Sequence, residues 1–296
     1  MRCVSRVCRV GLTLGLLLWS VTGPLARPSF AAPFFFSTGN PDGLMGTGSR
    51  PESAGKMEIE SADDFVLTSP TQINSATFTG LLPLSLPNIE RVVVEIYHVF
   101  PGDSANPPSG NVPTRTNSPS DVRVDARDTA VGSLTFSGDA LGAFTVENTV
   151  LNGINPKPNQ TTGGEGPAFG EEVRLNVTFT TPLTLPPDHY FFVPQVQLSN
   201  GDFLWLSAPR PIVAPGTPFS PDLELWIRNA ALDPDWLRVG TDIVGGTPPP
   251  TFNGTFSLTG DTVPEPSTVV LMLSGLSLFA WRGLGRAGRG SRRRLP

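Results

Sequence analysis

Apolar and polar positions alternate through the middle of this chain. In residues 91–100, Val92, Val94, Ile96, His98 and Phe100 share one face, and Arg91, Val93, Glu95, Tyr97 and Val99 share the other. That is the two-residue period of a β-strand. Residues 171–180 alternate as cleanly, with Val173, Leu175, Val177 and Phe179 set against Glu172, Arg174, Asn176 and Thr178. Shorter runs at 63–67, 73–79, 131–136, 143–150, 189–198, 202–207 and 252–258 predict further strands. Ser199-Asn200-Gly201 predicts a hairpin, and Ser137-Gly138-Asp139 predicts a break between two strands. Residues 223–229 fit a strand or a short helix, since Leu223, Trp226 and Ile227 also match helical spacing. Roughly nine or ten short strands, long Pro/Gly loops and no long helical period predict an all-β fold. The expected form is an antiparallel β-sandwich over residues 61–262, with a jelly roll as one version of it. Residues 32–60, rich in Gly, Ser and Pro after Phe34-Phe35-Phe36, read as a flexible arm that supplies at most one edge strand.

The two ends carry a different pattern. Arg2, Arg6 and Arg9 precede an uncharged, mostly apolar stretch at 10–21, and Ser29-Phe30-Ala31 offers small residues to a signal peptidase. Residues 1–31 therefore read as a signal peptide cut after Ala31. A retained anchor is the alternative, although twelve residues is short for one. Near the other end, residues 268–281 carry no charge. As a helix these 14 residues would reach roughly 21 Å, against a hydrocarbon thickness of roughly 30 Å. Snorkelling arginines and local thinning would close much of that gap for a single-span helix. Arg282, Arg286, Arg289, Arg292, Arg293 and Arg294 follow with no acid among them. Basic clusters beside apolar segments stay cytoplasmic, so the intervening body is expected outside the inner membrane.

Val263-Pro264-Glu265-Pro266, the apolar run and the basic end, in that order, resemble the PEP-CTERM sorting signal of Gram-negative bacteria. The resemblance covers residues 263–296 alone. It implies recognition by an exosortase that cuts near Pro-Glu-Pro, and a host that makes extracellular polysaccharide. The segments Ala62-Asp63-Asp64-Phe65 and Asp188-His189-Tyr190-Phe191-Phe192-Val193-Pro194 resemble stretches of uncharacterised proteins with the same tail, and no activity follows from them. An ordinary tail anchor that is never cut is the alternative.

Charge and cysteine content narrow the function classes. The body, residues 33–262, holds 11 basic and 25 acidic side chains, a formal charge of −14 (11 − 25) that the whole-chain value of −5 hides. Such a surface excludes nucleic acid as a partner bound through phosphate neutralisation. It suits a soluble extracellular domain or loose cation binding. Cys3 and Cys8 are the only cysteines and both lie in the leader, so the processed chain has no disulfide, thiol nucleophile or thiolate metal site.

Candidate chemistry is sparse. His98 and His189 could act as bases, yet both fall in predicted strands, where structural roles are the plainer reading. No zinc, phosphate-loop or serine-nucleophile motif occurs. Asp63-Asp64, Glu171-Glu172 or Asp233 with Asp235 could formally supply the two acids of a glycosidase. Trp236 beside Asp233 and Asp235 is the most sugar-site-like grouping, an aromatic face flanked by hydroxyl-binding acids. No cofactor is expected unless it is Ca²⁺, for which Asp42, Asp103, or Asp233 with Asp235 are loop candidates that turn chemistry explains equally well. The expectation is a non-enzymatic, exported β-domain. It would be processed by signal peptidase and exosortase, held transiently at the inner membrane, and placed at the cell surface or in an exopolysaccharide (biofilm) matrix as a structural or glycan-binding component. A carboxylate-dependent glycan hydrolase or lyase is the alternative.

Overall fold

A computed structural model describes residues 31–100, 116–129, 134–154, 160–233 and 235–264. Ala31–Val263 form one compact unit. Its described residues are mostly strand, in two sheets whose pairs are almost all antiparallel, as the two-residue periodicity predicts.

The first sheet has nine strands. They are β1 (Pro33–Ser37), β2 (Met45–Gly48), β4 (Thr71–Leu82), β7 (Leu134–Val146), β8 (Asn148–Val150), β9 (Ala168–Leu185), β11 (Leu204–Ala208), β14 (Asn253–Gly254) and β15 (Phe256–Thr262). Their main order is β1-β15-β4-β11-β2-β8; β9 joins β4, β7 joins β9, and β14 joins β11. The second sheet runs β13 (Leu237–Arg238), β12 (Trp226–Asn229), β3 (Ile59–Leu67), β10 (Asp188–Leu198), β5 (Ile89–Val99) and β6 (Pro119–Thr129). A six-residue π-helical turn, Val239–Val244, follows β13.

One core joins the sheets. Val92, Val94 and Ile96 of β5 are buried with Phe65 of β3 and Phe192 of β10, against Phe78 of β4, Trp205 of β11 and Phe256 of β15. Phe192 and Phe256, from different sheets, stack with ring centroids 4.9 Å apart and planes 10° apart. The buried Trp205 indole donates to the Thr255 carbonyl at 2.8 Å, so its one polar atom is satisfied where the ring packs. The opposite face of β5 is buried as well: Val93, Glu95 and Tyr97 are each at most 2 % exposed. A second apolar layer, including Ala62, Phe191, Val193, Trp226 and Trp236, covers that side.

Several sequence expectations are corrected. Ser199-Asn200-Gly201 does not turn a hairpin; β10 pairs with β3 and β5, whereas β11 pairs with β2 and β4 in the other sheet. The chain there passes between sheets: β10 runs in a long ladder with β5, while β11 takes short ladders with β2 and β4 that bury Trp205 in the core. Ser137-Gly138-Asp139 does not interrupt β7, which pairs along β9 from Leu134↔Phe179 to Val146↔Ala168. Residues 223–229 contribute the strand β12 rather than a helix, paired with β3. The stretch read as an arm holds the edge strand β1 and also β2, all four of whose residues are buried. The run expected at 131–136 falls partly, and the loop at 101–115 wholly, outside the described residues.

Close packing leaves no room for a side chain at Gly80. A Cβ on Gly80 of β4 would collide with the Phe203 ring and lie 2.8 Å from the Leu204 carbonyl oxygen. Gly80→Ala should therefore lower unfolding free energy by about 1–3 kcal/mol, the usual range for overpacking a core. Urea denaturation of the two proteins tests this, and an unchanged midpoint would refute the packing account.

Candidate functional site

Strand alternation sorts the polar residues of β3 onto two faces. Asp63 joins Phe65 on the side of the inter-sheet core, while Glu60, Ala62 and Asp64 face the outer layer. Register then sets their neighbours. Arg228 of β12 lies opposite Glu60, and Phe191 of β10 lies between Asp64 and Tyr97. On the outer side, Val193 of β10 is paired with Glu95 of β5.

Two buried polar clusters result. In the outer one, Arg228 Nε donates to Glu60 Oε2, and its Nη1 donates to the exposed Asp233 at 3.0 Å. The guanidinium carbon sits 4.5 Å from the Trp236 ring centroid and 5.9 Å from that of Tyr97. The Tyr97 hydroxyl donates to Glu95 Oε2 at 2.6 Å and lies 3.3 Å from Glu60 Oε1. Gln195 Nε2 donates to Glu58 Oε1 at 2.9 Å. One carboxylate oxygen from each of Glu58, Glu60 and Glu95 lies within 4.8 Å of the other two. Burial pushes Glu60 up to about 8; the Arg228 charge pulls it down, and the Glu95 and Glu58 carboxylates add to the rise. Burial is also the main reason the Tyr97 hydroxyl is held protonated far above its ordinary range.

The second cluster sits where residues 222–225, just before β12, pass Asp64 of β3. Asp64 Oδ2 meets His189 Nε2 at 2.5 Å, and Asp64 Oδ1 accepts from the Leu223 amide at 3.0 Å. Burial raises Asp64 to about 6 against the lowering effects of His189. On the core side, Asp63 Oδ2 accepts from the Gly254 amide at 2.9 Å, which ties β3 to β14 of the other sheet. Its carboxyl is raised by burial and by Asp64 and Asp222. Arg210 Nε stands 3.6 Å from Asp222 Oδ2 and offsets part of that charge. The other histidine, His98, stands 3.3 Å from Asp188 Oδ2.

The residues singled out in the sequence are dispersed. Trp236 and Asp235 are fully buried and Asp233 is exposed, so this trio is a packed layer rather than an open sugar platform. Arg228 and Tyr97 occupy the ring face that a sugar would need. Asp63 and Asp64 point to opposite sides of β3, as successive strand residues must. Glu171, on the strand face opposite to Glu172, accepts from the Gly142 amide at 3.0 Å. Asp42 holds a turn, its Oδ1 accepting from the Leu44 amide at 2.9 Å and the Ser207 hydroxyl at 2.5 Å. Val263 donates its amide to the Pro70 carbonyl at 2.7 Å. Asp103, Glu265, Pro266 and the six tail arginines lie outside the described residues, as does the apolar run at 268–281. Among the described residues no helix is long and apolar enough to cross a membrane.

Sequence reading missed the convergence of Glu58, Glu60, Glu95 and Gln195. The available signal was a lone polar group inside an apolar run, as in Val93-Val94-Glu95-Ile96 and Val193-Pro194-Gln195-Val196. Comparison of the chain with protein-family models, with curated proteins and with solved structures finds no match.

Two predictions follow from these charges. Arg228→Met leaves Glu60 buried without its partner and should cost about 3–5 kcal/mol, much of it recovered in the Glu60→Gln/Arg228→Met double variant. Denaturant titration of the four proteins in the cycle measures this, and no recovery in the double variant would refute the pairing. For Asp64, the folded value of about 6 exceeds the ordinary 3.8, so the folded state holds the proton longer. Its stabilising contribution is complete below 3.8 and is lost as pH rises through 6. The decline in stability across that window should be shallower in Asp64→Asn than in the wild type, and parallel pH profiles would contradict it.

Proposed function

We propose that this chain is an exported β-sandwich domain, cut after Ala31 and sorted by an exosortase at Val263-Pro264-Glu265-Pro266. It is then placed at the cell surface or in an extracellular polysaccharide matrix as a non-catalytic structural or glycan-binding component. The stacking of Phe192 on Phe256 across the two sheets supports the sandwich reading.

The observation that carries the proposal is where the compact unit ends. It spans Ala31–Val263, from the residue at the expected signal cleavage to the first residue of the sorting motif. Its two ends are joined: Ala32 N donates to Thr262 Oγ1 at 3.0 Å, and Thr262 N donates to the Ala32 carbonyl at 2.8 Å. From there β1 and β15 pair antiparallel, Pro33 opposite Asp261. Every described strand and every described core residue lies between the two expected cuts. The acidic body fits a matrix bridged by cations rather than one held by phosphate polymers.

Intact mass and fractionation of the protein, in host cells with and without the exosortase, test this reading. The expected result is loss of both ends near Ala31 and Pro264, with the arginine tail kept only when the exosortase is absent. An arginine tail retained in both strains would overturn the sorting proposal.

A further inference from the structure

We propose that Glu58, Glu60, Glu95 and the side-chain amide oxygen of Gln195 form a Ca²⁺ site on the outer face of the six-stranded sheet. The oxygen geometry is the first support. Three carboxylates each bring one oxygen to within 4.8 Å of the other two, which is about the span across a Ca²⁺ shell with ligands at about 2.3–2.6 Å.

Gln195 is the second and independent support. Its side chain is drawn into the cluster by the Nε2 bond to Glu58, and the residue is 1 % exposed. That leaves Gln195 Oε1 buried without a hydrogen-bond donor. A buried amide oxygen with no donor is costly, and a cation is one group that satisfies it. All four contributors are oxygen donors, which selects a hard ion.

Glu58 is only half-buried and follows the exposed Met57, so the site has a route to solvent. Three of the ligands stand on β3, β10 and β5, which are adjacent in one sheet, and their spacing is therefore set before any ion arrives. Mg²⁺ demands near-octahedral ligands at about 2.0–2.1 Å and suits a set held by the spacing of β-strands less well than Ca²⁺ does. The inference stands apart from the sorting proposal, because binding to the purified chain does not depend on how its ends are processed.

Terbium luminescence on the full chain, purified in mild detergent and stripped with EDTA, tests the site directly. Tb³⁺ takes Ca²⁺ positions, and here it would be excited through Tyr97 and Trp236, whose rings lie beside the cluster. The expected result is saturable emission that Ca²⁺ displaces and equal Mg²⁺ does not. Glu58→Gln should weaken apparent Ca²⁺ affinity by about tenfold or more through loss of one ligand charge. Glu58→Gln/Glu95→Gln should abolish both the emission and the rise in Tm on adding Ca²⁺. Glu58→Gln keeps an oxygen for the Gln195 amide at a half-exposed position, so this variant retains the packing around it. Asp202→Asn removes a carboxylate elsewhere, one that pairs with Arg50 and Lys56, and should change nothing in the Tb³⁺ signal. Emission that Ca²⁺ fails to displace, emission undiminished in the double variant, or an equal loss in Asp202→Asn would each overturn the proposal.

Discussion

Burial of both faces of β3, β5 and β10 is the constraint from which the rest of this molecule follows. A sheet with one wet face can set carboxylates in solvent at little cost. These strands cannot, so Glu60, Asp64, Glu95 and Gln195 each stand where a polar group must find a partner inside protein. The partners come from different elements: Arg228 from β12, Tyr97 from β5, His189 from β10 and the Leu223 amide from the segment before β12. Trp236 closes the layer by lying under the Arg228 guanidinium, which keeps water from the Glu60 ion pair and so strengthens it.

The inner face obeys a simpler rule. Aromatic rings from both sheets fill it, and Phe192 stacks on Phe256 from the opposite sheet. Asp63 is a buried acid there whose bond to the Gly254 amide spans the two sheets, and the Ser61 hydroxyl makes a second such tie to the Gly48 carbonyl. The raised affinity of Asp63 for a proton is the direct cost of that position. Apolar packing supplies the cohesion here, while the Asp63–Gly254 bond specifies how β14 meets β3.

Strand order also constrains how the domain can form. β15, the last strand, lies between β1 and β4, so the nine-stranded sheet is incomplete until residue 262 is available. Pairings this distant in sequence fold slowly, because loop-closure entropy is paid before the contacts form. On the proposed export route, the anchor segment would hold the chain at the membrane while that final strand inserts.

Strand content was legible in the chain itself. The period of two at 91–100 and 171–180 marks β5 and β9, because a strand's side-chain alternation is local and shows directly in the residues. The expected leader and sorting tail rest on run length and flanking charge, which are local properties as well. Pairing was not. Ser199-Asn200-Gly201 has the residues of a hairpin, yet β10 and β11 belong to different sheets, because β10's long ladder with β5 and the burial of Trp205 on β11 outweigh a favourable local turn. Nor could spacing reveal that Glu58, Glu60, Glu95 and Gln195 meet, or that Trp236 is covered by Arg228. Those groups are neighbours because β3, β10 and β5 lie side by side, and three-dimensional folding alone sets that adjacency.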